Sequence, residues 1–217
     1  MNSNQDSSEK SAAKQHVLVN VILDKSGSMN SKVKDVIGGF NHYIDELAKE
    51  RAVEYGFTLT LFDTAVALKY NAVPLADVAK LDESSYRPSG NTALLDAIGN
   101  TVQTVNTAGF SKIVTVIMTD GEENSSREWT LPAIRELLKD KESLGNWTFV
   151  FLGANLDAFA QGSALGVAAR NAVRYDTENF EGVFSSLGKM TNVFSSEARL
   201  ASRDFFKGKM PGIKKSS

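Results

Sequence analysis

The sequence predicts an α/β domain with a doubly wound, mostly parallel central sheet, one antiparallel edge strand and helices on both faces. Three observations support this fold class. Continuous apolar runs rich in β-branched and aromatic residues, typical of strands buried on both faces, occupy 16–23, 112–118 and 147–153. Segments with apolar residues at helical spacing lie between these runs. Strands that alternate with helices favour a parallel sheet covered by helices on both sides.

The antiparallel edge is predicted from a hairpin pattern. Residues 57–62 alternate between apolar and polar, and a second apolar-rich segment, 65–70, follows after only Asp63 and Thr64. Two strands joined by so short a connection run antiparallel, and the alternation indicates a strand near a sheet edge. A last, shorter strand is expected within 168–176.

Four stripes of apolar residues at helical spacing predict four helices between or after the strands. The stripes are Val33, Val36, Ile37, Phe40, Ile44 and Leu47; Leu94, Leu95, Ile98, Val102 and Val105; Leu131, Ile134, Leu137 and Leu138; and Phe180, Val183, Phe184, Leu187, Met190 and Phe194. Thr130 and Thr177 are predicted N-caps, and a shorter helix is expected over 156–164.

The polar or small-residue-rich ends of the chain predict tails around one domain. We expect a disordered N-terminal tail over 1–15, the domain over 16–203 and a flexible C-terminal tail over 204–217. The N-terminal residues lack the apolar segment of a secretory signal, and no apolar stretch reaches the length that spans a bilayer. The sequence therefore favours a cytoplasmic protein that does not insert into a membrane.

Composition excludes several kinds of site. The formal net charge of −2 gives no reason to expect a nucleic acid or an anionic membrane as partner. The chain has no cysteine, so disulfides, thiolate metal sites and cysteine nucleophiles are excluded. Its two histidines, His16 and His42, argue against a zinc site or a Ser-His-Asp triad.

Oxygen-bearing side chains follow two predicted strands and precede a predicted helix. Asp24 closes the first strand, and the loop after it carries Ser26 and Ser28, whose hydroxyls can point to the same side. Thr92 directly precedes a helical stripe, and Asp120 closes another buried strand. Ligands of such sheets bind beyond the carboxyl ends of the strands, so the two carboxylates should converge if their strands are neighbours. An all-oxygen set suits Mg²⁺, with Mn²⁺ or Ca²⁺ as alternatives.

The charge of this set predicts a further ligand. Two aspartates balance one divalent cation, while the serine and threonine hydroxyls are neutral. An ion held in this way keeps an affinity for another anionic oxygen, which water or an incoming carboxylate can supply. The set therefore predicts a recognition site as much as a catalytic one.

Three motifs of the chain resemble those of the von Willebrand factor type A domain. They are Asp24-Lys-Ser26-Gly-Ser28, Gly-Asn-Thr92-Ala-Leu-Leu-Asp-Ala and Thr-Asp120-Gly-Glu. In that family these motifs form a metal-ion-dependent adhesion site (MIDAS), and the resemblance covers about residues 16–200. It implies that Ser26 and Ser28 ligate the metal directly, and that the aspartates and Thr92 reach it directly or through water. It also implies that an Asp or Glu of a partner protein supplies the last ligand.

The loops 25–31, 88–92 and 121–129 would form the rim of such a site. The residues predicted to contact a partner there are Met29, Asn30, Asn91, Glu122 and Trp129. Family members often switch affinity by shifting a helix, and the last predicted helix, about 177–200, is the corresponding element here.

Simpler structural roles exist for each predicted ligand. Asp24, Ser26 and Ser28 could form a strand-exit turn and a helix cap, Thr92 could cap the helix after it, and Asp120 could form an Asp-Gly turn. The order and context of the three motifs favour ligation over these roles. Asp96, in the first turn of its predicted helix, is interpreted as structural because the helix dipole favours a negative charge there. An EF-hand starting at Asp24 is excluded, because its sixth position is not glycine and its twelfth is not glutamate.

Two other functions remain as alternatives to an interaction module. One is a Mg²⁺-dependent phosphoryl-transfer hydrolase with Asp24 as nucleophile. Such enzymes usually carry a second aspartate two residues later as general acid, where this chain has Ser26, so we expect no enzymatic activity. The other is a structural scaffold that binds metal only for stability.

Overall fold

The computed structural model describes residues 14–154, 158–175, 180–197 and 205–206. These residues contain one sheet of six strands, in the order β3-β2-β1-β4-β5-β6, and five α-helices. The strands are β1 Gln15–Asp24, β2 Val53–Phe62, β3 Val66–Pro74, β4 Lys112–Thr119, β5 Trp147–Gly153 and β6 Ala172–Arg174. The helices are α1 Val33–Leu47, α2 Leu94–Thr104, α3 Leu131–Ser143, α4 Ala158–Leu165 and α5 Phe180–Ser196. Short 3₁₀ helices cover Gly27–Lys32, Leu75–Asp77 and Ala169–Asn171.

The sheet confirms the predicted fold class. Every neighbouring pair of strands is parallel except β2 and β3, which form the predicted antiparallel hairpin at the edge. Phe62 and Val66 are the last pair of the hairpin before its turn. In the turn, the amide of Asp63 donates to the carbonyl of Ala65 over 3.0 Å. β3 is mostly exposed or half-buried, while the neighbouring β2 is almost wholly buried, as expected for an edge strand beside a central one.

The helices pack on both faces of the sheet because the strands are apolar on both sides. In β1, Val17, Val19 and Val21 face one core cluster, and Leu18 and Ile22 face the other. The first cluster is completed by α1 and α5, and the second by α2, α3 and α4. The two-residue period of a strand therefore divides a continuous apolar run between two cores.

The order of the strands places the site. β1 lies in the middle of the sheet, and the chain runs first to β2 and β3 on one side and then to β4, β5 and β6 on the other. The order thus reverses between β1 and β4, and the connections from these two strands leave in opposite directions. A crevice at the carboxyl ends of such a pair is the usual ligand position in open α/β sheets.

Several local elements lie where the sequence predicts them. The hydroxyl of Thr130 accepts from the amide of Ala133 over 3.4 Å, which confirms the N-cap of α3, while Thr177 lies outside the described residues. The short helix predicted over 156–164 is α4, and β6 lies inside the segment predicted to hold the last strand. β2 begins at Val53, four residues before the alternating segment. No α-helix of the described residues is long and apolar enough to cross a membrane.

The predicted tails lie almost wholly outside the described residues, at 1–13, 204 and 207–217. Gln15, at the end of the predicted N-terminal tail, is the first residue of β1. Phe205, which the prediction places in the C-terminal tail, is buried with its ring centroid 5.4 Å from that of Phe194.

Candidate metal centre

The carboxyl ends of β1 and β4 place two aspartates side by side. β1 ends at Asp24, β4 ends at Thr119 with Asp120 directly after it, and the parallel register pairs Leu23 with Met118. Asp24 is fully buried, and the side chain of Asp120 is 3% exposed. The two carboxylates predicted from strand ends therefore lie in one crevice, at the point where the strand order reverses.

Hydrogen bonds hold both oxygens of Asp24. The amide of Ser26 donates to Oδ1 over 2.6 Å, and the hydroxyl of Thr119 donates to Oδ2 over 2.6 Å. Burial raises the pKa of Asp24 above its usual value, although the hydrogen bonds from Thr119 and Ser26 lower it; the nearby carboxylate of Asp120 adds to the rise. Ionised Asp24 is thus costly in this position unless positive charge is close.

A chain of hydroxyls connects the first loop to Asp120. The Oγ atoms of Ser26 and Ser28 lie 3.1 Å apart, and Ser28 donates to Oδ1 of Asp120 over 2.5 Å. The ammonium of Lys32, at the end of the 3₁₀ helix, donates to Oδ2 of Asp120 over 2.5 Å. The contacts bring the D-x-S-x-S motif and Asp120 together as predicted, and they add Lys32, which the sequence analysis did not identify.

Thr92 reaches the same place from the loop before α2. A Cβ atom at Gly121 would lie 3.0 Å from Oγ1 of Thr92 and 3.5 Å from Oγ of Ser28, so both hydroxyls lie close to the backbone of Gly121. Thr92 and Asn124 hold the two loops together: the Thr92 amide donates to the side-chain Oδ1 of Asn124 over 2.9 Å, and the Asn124 amide donates back to the Thr92 carbonyl over 3.1 Å. All five predicted ligands therefore border one small space.

The predicted capping roles do not account for these hydroxyls. α2 begins after Ala93 and not after Thr92, and no side chain caps it from the N-cap position. Ser26 does occupy the N-cap of the 3₁₀ helix, but its side chain makes no capping hydrogen bond. Neither hydroxyl caps a helix; that of Ser26 lies 3.1 Å from the Ser28 hydroxyl, and that of Thr92 lies beside Gly121.

Glu123 fixes the loop after β4. Its carboxylate accepts from the amides of Leu95, Ser125 and Ser126 over 2.7–2.9 Å and from the Ser126 hydroxyl over 2.7 Å. The Leu95 amide belongs to the first turn of α2, where amides lack partners within the helix. No local sequence pattern marks Glu123 as structural, because it caps α2 from a distant loop.

Asp96 holds the next part of the same loop. Its carboxylate accepts from the amides of Arg127, Glu128 and Trp129 over 2.8–3.0 Å. The ring of Trp129 lies against Gly99 of α2 so closely that a Cβ there would overlap it. The structural role predicted for Asp96 is therefore observed, but its carboxylate acts mainly by binding loop amides.

An ion pair joins the first loop to the β2–β3 hairpin. Lys25 donates to Oδ2 of Asp63, which also accepts from the Ser89 hydroxyl over 3.2 Å, while Oδ1 accepts from the Ala65 amide over 2.8 Å. Burial alone would raise the pKa of Asp63, but the hydrogen bonds from Lys25 and Ala65 hold it below its usual value. The pair fixes one side of the rim.

Two buried tyrosines lie beneath the strand ends. Tyr86 donates its hydroxyl hydrogen to the carbonyl of Asp24 over 2.6 Å, and Tyr175 donates to the carbonyl of Thr119 over 3.2 Å. Burial, with the nearby carboxylates of Asp24 and Asp120, raises the pKa of both hydroxyls far above the usual value, so they remain neutral donors. The floor of the site is therefore polar but uncharged.

The structure corrects the predicted rim. Asn30, Asn91 and Glu122 are exposed, so their predicted contact with a partner stays a prediction. Met29 is fully buried, because the 3₁₀ helix turns its side chain into the core beneath α1, and it offers no contact surface. Trp129 is half-buried against α2 and contributes only part of its ring.

The chemistry of the donor set fits a hard divalent cation. Two carboxylates and three hydroxyls converge, and within the described ranges no group of three or more His, Cys, Asp or Glu side chains offers a different metal site. Thr119 and Lys32 were missed from the sequence. Thr119 could have been suspected from its place beside Asp120 at a strand end, whereas the spacing of Lys32 carries no signal.

The comparisons with known proteins support the fold. No protein-family model matches the sequence, and no curated protein sequence matches it. Proximal thread matrix protein 1 (PTMP1) from the mussel byssus is 14% identical with a TM-score of 0.65, over 83% of this chain and 47% of that one. A von Willebrand factor type A protein from Catenulispora acidiphila is 17% identical with a TM-score of 0.59, over 82% and 43%.

A third solved structure matches over nearly its whole length. It is the von Willebrand factor domain of the type V pili tip protein Mfa5 from Porphyromonas gingivalis, 13% identical with a TM-score of 0.61, over 88% of this chain and 99% of that one. PTMP1 has also been solved with zinc in its MIDAS motif. This chain spans less than half the length of the PTMP1 and Catenulispora chains. At these identities the similarity is one of fold, and that fold is the von Willebrand factor type A fold.

Proposed function

We propose that this chain, which has the fold of the von Willebrand factor type A domains, is a metal-dependent protein-interaction module. Asp24, Ser26, Ser28, Thr92 and Asp120 would hold Mg²⁺, and an Asp or Glu side chain of another protein would bind to that ion. The observation that carries the proposal is the convergence of these five oxygen donors at the carboxyl ends of β1 and β4.

The oxygen donors support Mg²⁺ first, with Mn²⁺ and Ca²⁺ as alternatives. Carboxylates and hydroxyls are hard ligands, and the set contains no nitrogen or sulfur. When bound, the ion would supply an electrophilic position for a carboxylate oxygen of the partner. The two aspartates would balance the charge of the ion, and the neutral hydroxyls would coordinate it without adding negative charge, which would leave it able to attract a further anionic oxygen.

The surroundings of Asp24 favour binding over catalysis. A nucleophilic carboxylate must present an oxygen to its substrate, but Asp24 is fully buried and both its oxygens accept hydrogen bonds, from Ser26 and Thr119. The residue two positions later is Ser26, whose hydroxyl is not a general acid at neutral pH. We therefore propose a binding module rather than an enzyme.

The exposed rim residues would select the partner. A metal–carboxylate contact discriminates poorly by itself, so specificity would come from Asn30, Asn91 and Glu122 around the ion. Glu122 adds negative charge, which would disfavour partners with several acids near the ligating one. With a net charge of −2 the chain is suited to a protein partner rather than to a nucleic acid or an anionic membrane.

The comparisons support the same function. PTMP1, a byssus matrix protein, carries zinc in its MIDAS motif in one structure, and Mfa5 is a pili tip protein. These neighbours favour a role in an assembly outside the cytoplasm over the cytoplasmic location expected from the sequence.

The test is a capture experiment with a matched variant. The 217-residue chain, Ser26→Ala and Ser31→Ala would each be immobilised and exposed to source-cell lysate with Mg²⁺ or with EDTA, and bound proteins would be identified by mass spectrometry. Ser31 is an exposed serine of the 3₁₀ helix that follows Ser26, and it serves as control. We expect one protein to be retained by the parent chain and Ser31→Ala only with Mg²⁺, and not by Ser26→Ala. Equal retention with Mg²⁺ and EDTA would contradict the proposal.

A further inference from the structure

Lys32 places a fixed positive charge inside the candidate site. Its Nζ lies 2.5 Å from Oδ2 of Asp120, and its side chain is only 18% exposed. It ends the 3₁₀ helix Gly27–Lys32, the element that also carries Ser28. Because Ser28 donates to Oδ1 of Asp120, both oxygens of this predicted ligand already have a donor from within the chain.

This ammonium balances charge that would otherwise be costly. Asp24 and the side chain of Asp120 are nearly or fully buried, and two neighbouring buried carboxylates repel each other. Among the residues that the structure describes, Lys32 is the only cation that forms an ion pair with either of them. It therefore stabilises the folded site without any metal.

The same contact opposes metal binding. A divalent cation bound between Asp24 and Asp120 would lie next to the ammonium, and like charges in a buried space repel strongly. One oxygen of Asp120 must also lose its hydrogen-bond donor, Ser28 or Lys32, before it can bind the ion. The Lys32 side chain, partly exposed and on a flexible stem, can move away while its helix stays in place.

We infer that Lys32 is an internal competitor for the divalent cation, which binds by displacing the ammonium from Asp120. The inference rests on the proposed metal site, and it adds that Lys32 lowers the affinity of this site for the divalent cation. Metal-free protein is held by the Lys32–Asp120 ion pair, and metal-loaded protein by the ion. The exchange also releases the ammonium beside the site, where it would attract the acidic side chain of a partner.

The test compares Lys32→Met with Lys34→Met and Lys32→Arg. Methionine keeps most of the aliphatic stem and removes the charge. Lys34→Met removes the same charge two residues later, from an exposed lysine, and arginine at position 32 keeps the charge. Titration calorimetry with MgCl₂ gives the affinity, and the melting temperature in EDTA gives the stability of the metal-free form.

We expect Lys32→Met to bind Mg²⁺ about tenfold more tightly than the parent chain. In EDTA it should melt about 5 °C lower, because the two buried aspartates lose their counter-charge, and Mg²⁺ should restore the loss. Lys34→Met should match the parent in both measurements, and Lys32→Arg should retain its stability in EDTA. Should Lys32→Met fold only in the presence of Mg²⁺ and unfold on chelation, that result also supports the inference.

Two results would overturn it, and they are distinguishable. In the first, the parent chain binds Mg²⁺, and Lys32→Met has the same affinity and the same stability as the parent. Lys32 would then not compete with the ion, and the proposed function would be unaffected. Absence of divalent-cation binding by the parent and every variant would remove the metal site itself, and with it both the competition and the proposed function.

Discussion

The hydroxyl of Thr119 donates a hydrogen bond of 2.6 Å to Oδ2 of Asp24 and so joins the ends of β4 and β1. Asp24 is fully buried, and its other oxygen accepts from the Ser26 amide. The orientation of the first predicted ligand therefore depends on a threonine outside the D-x-S-x-S motif. Thr119 is itself fully buried, so no water can replace its hydroxyl without a rearrangement.

Thr119→Val should destabilise the chain and weaken metal binding together. Valine has almost the same shape but no hydroxyl, so a buried carboxylate oxygen would lose its donor at a cost of about 1–3 kcal/mol. Urea unfolding at pH 7 in EDTA would measure the change in the free energy of unfolding, and titration with MgCl₂ would measure the affinity.

Thr119→Ser is the matched control for this prediction. Serine keeps the donor and loses one methyl group, so the affinity for Mg²⁺ should stay close to that of the parent chain. If valine and serine at position 119 lowered the affinity equally, packing and not the hydrogen bond to Asp24 would be the cause.

Asp24→Asn should separate stability from metal binding. Burial raises the pKa of Asp24, so the ionised side chain costs folding free energy at neutral pH, and a neutral amide of the same shape avoids that cost. We expect Asp24→Asn in EDTA to be as stable as the parent or more stable, and its affinity for Mg²⁺ to fall at least about tenfold. Thermal melts with and without Mg²⁺ would show both effects; a loss of stability in EDTA as large as in Mg²⁺ would contradict the interpretation.

The fold was predictable because its signals are local. The runs that became β1, β4 and β5 are apolar on both faces. The short break after Phe62 indicates the hairpin, although the connection in the structure also includes Ala65 and so has three residues instead of two. The five oxygen donors were predictable because strand ends and a helix start are visible in the sequence. Contacts between distant residues were not: Lys32 and Asp120 are 88 residues apart and share no pattern. Met29 was misplaced because the segment after β1 forms a 3₁₀ helix in which Met29 is the buried residue.

Glu123→Ala should loosen the loop that carries Asp120. The Glu123 carboxylate accepts from three backbone amides, including that of Leu95 in the first turn of α2, and these amides would lose their partner. We expect a loss of about 1–3 kcal/mol in the free energy of unfolding and a weaker affinity for Mg²⁺. Urea unfolding and MgCl₂ titration would measure these changes.

Glu122→Ala provides the comparison on the neighbouring residue. Glu122 is exposed, so its loss should change stability by less than about 0.5 kcal/mol. A similar loss of stability in the Glu122 and Glu123 variants would show that net charge, and not the hydrogen bonds to the loop, determines the effect.

The Lys25–Asp63 ion pair gives the rim a pH dependence of known sign. Both side chains are largely buried, 20% and 12% exposed, and the pKa of Asp63 in the folded chain lies below its usual value. A carboxyl with a lowered folded pKa contributes stability above its unfolded pKa, about 3.9, and loses that contribution as the pH falls through the folded value. The pair should therefore stabilise the chain at neutral pH and not in acid.

Asp63→Asn should lower the free energy of unfolding by about 1–2 kcal/mol at pH 7, and the difference from the parent should shrink as the pH falls below about 4. Urea unfolding in EDTA at pH 7, 5, 4 and 3 would follow this difference directly. Lys25→Met and the double variant complete a double-mutant cycle. At pH 7 the second substitution should lower the free energy of unfolding only slightly once the first is made, because the ion pair is already broken. A difference between parent and Asp63→Asn that stayed constant from pH 7 to pH 3 would mean that Asp63 acts by packing and hydrogen-bond geometry, and not by its charge.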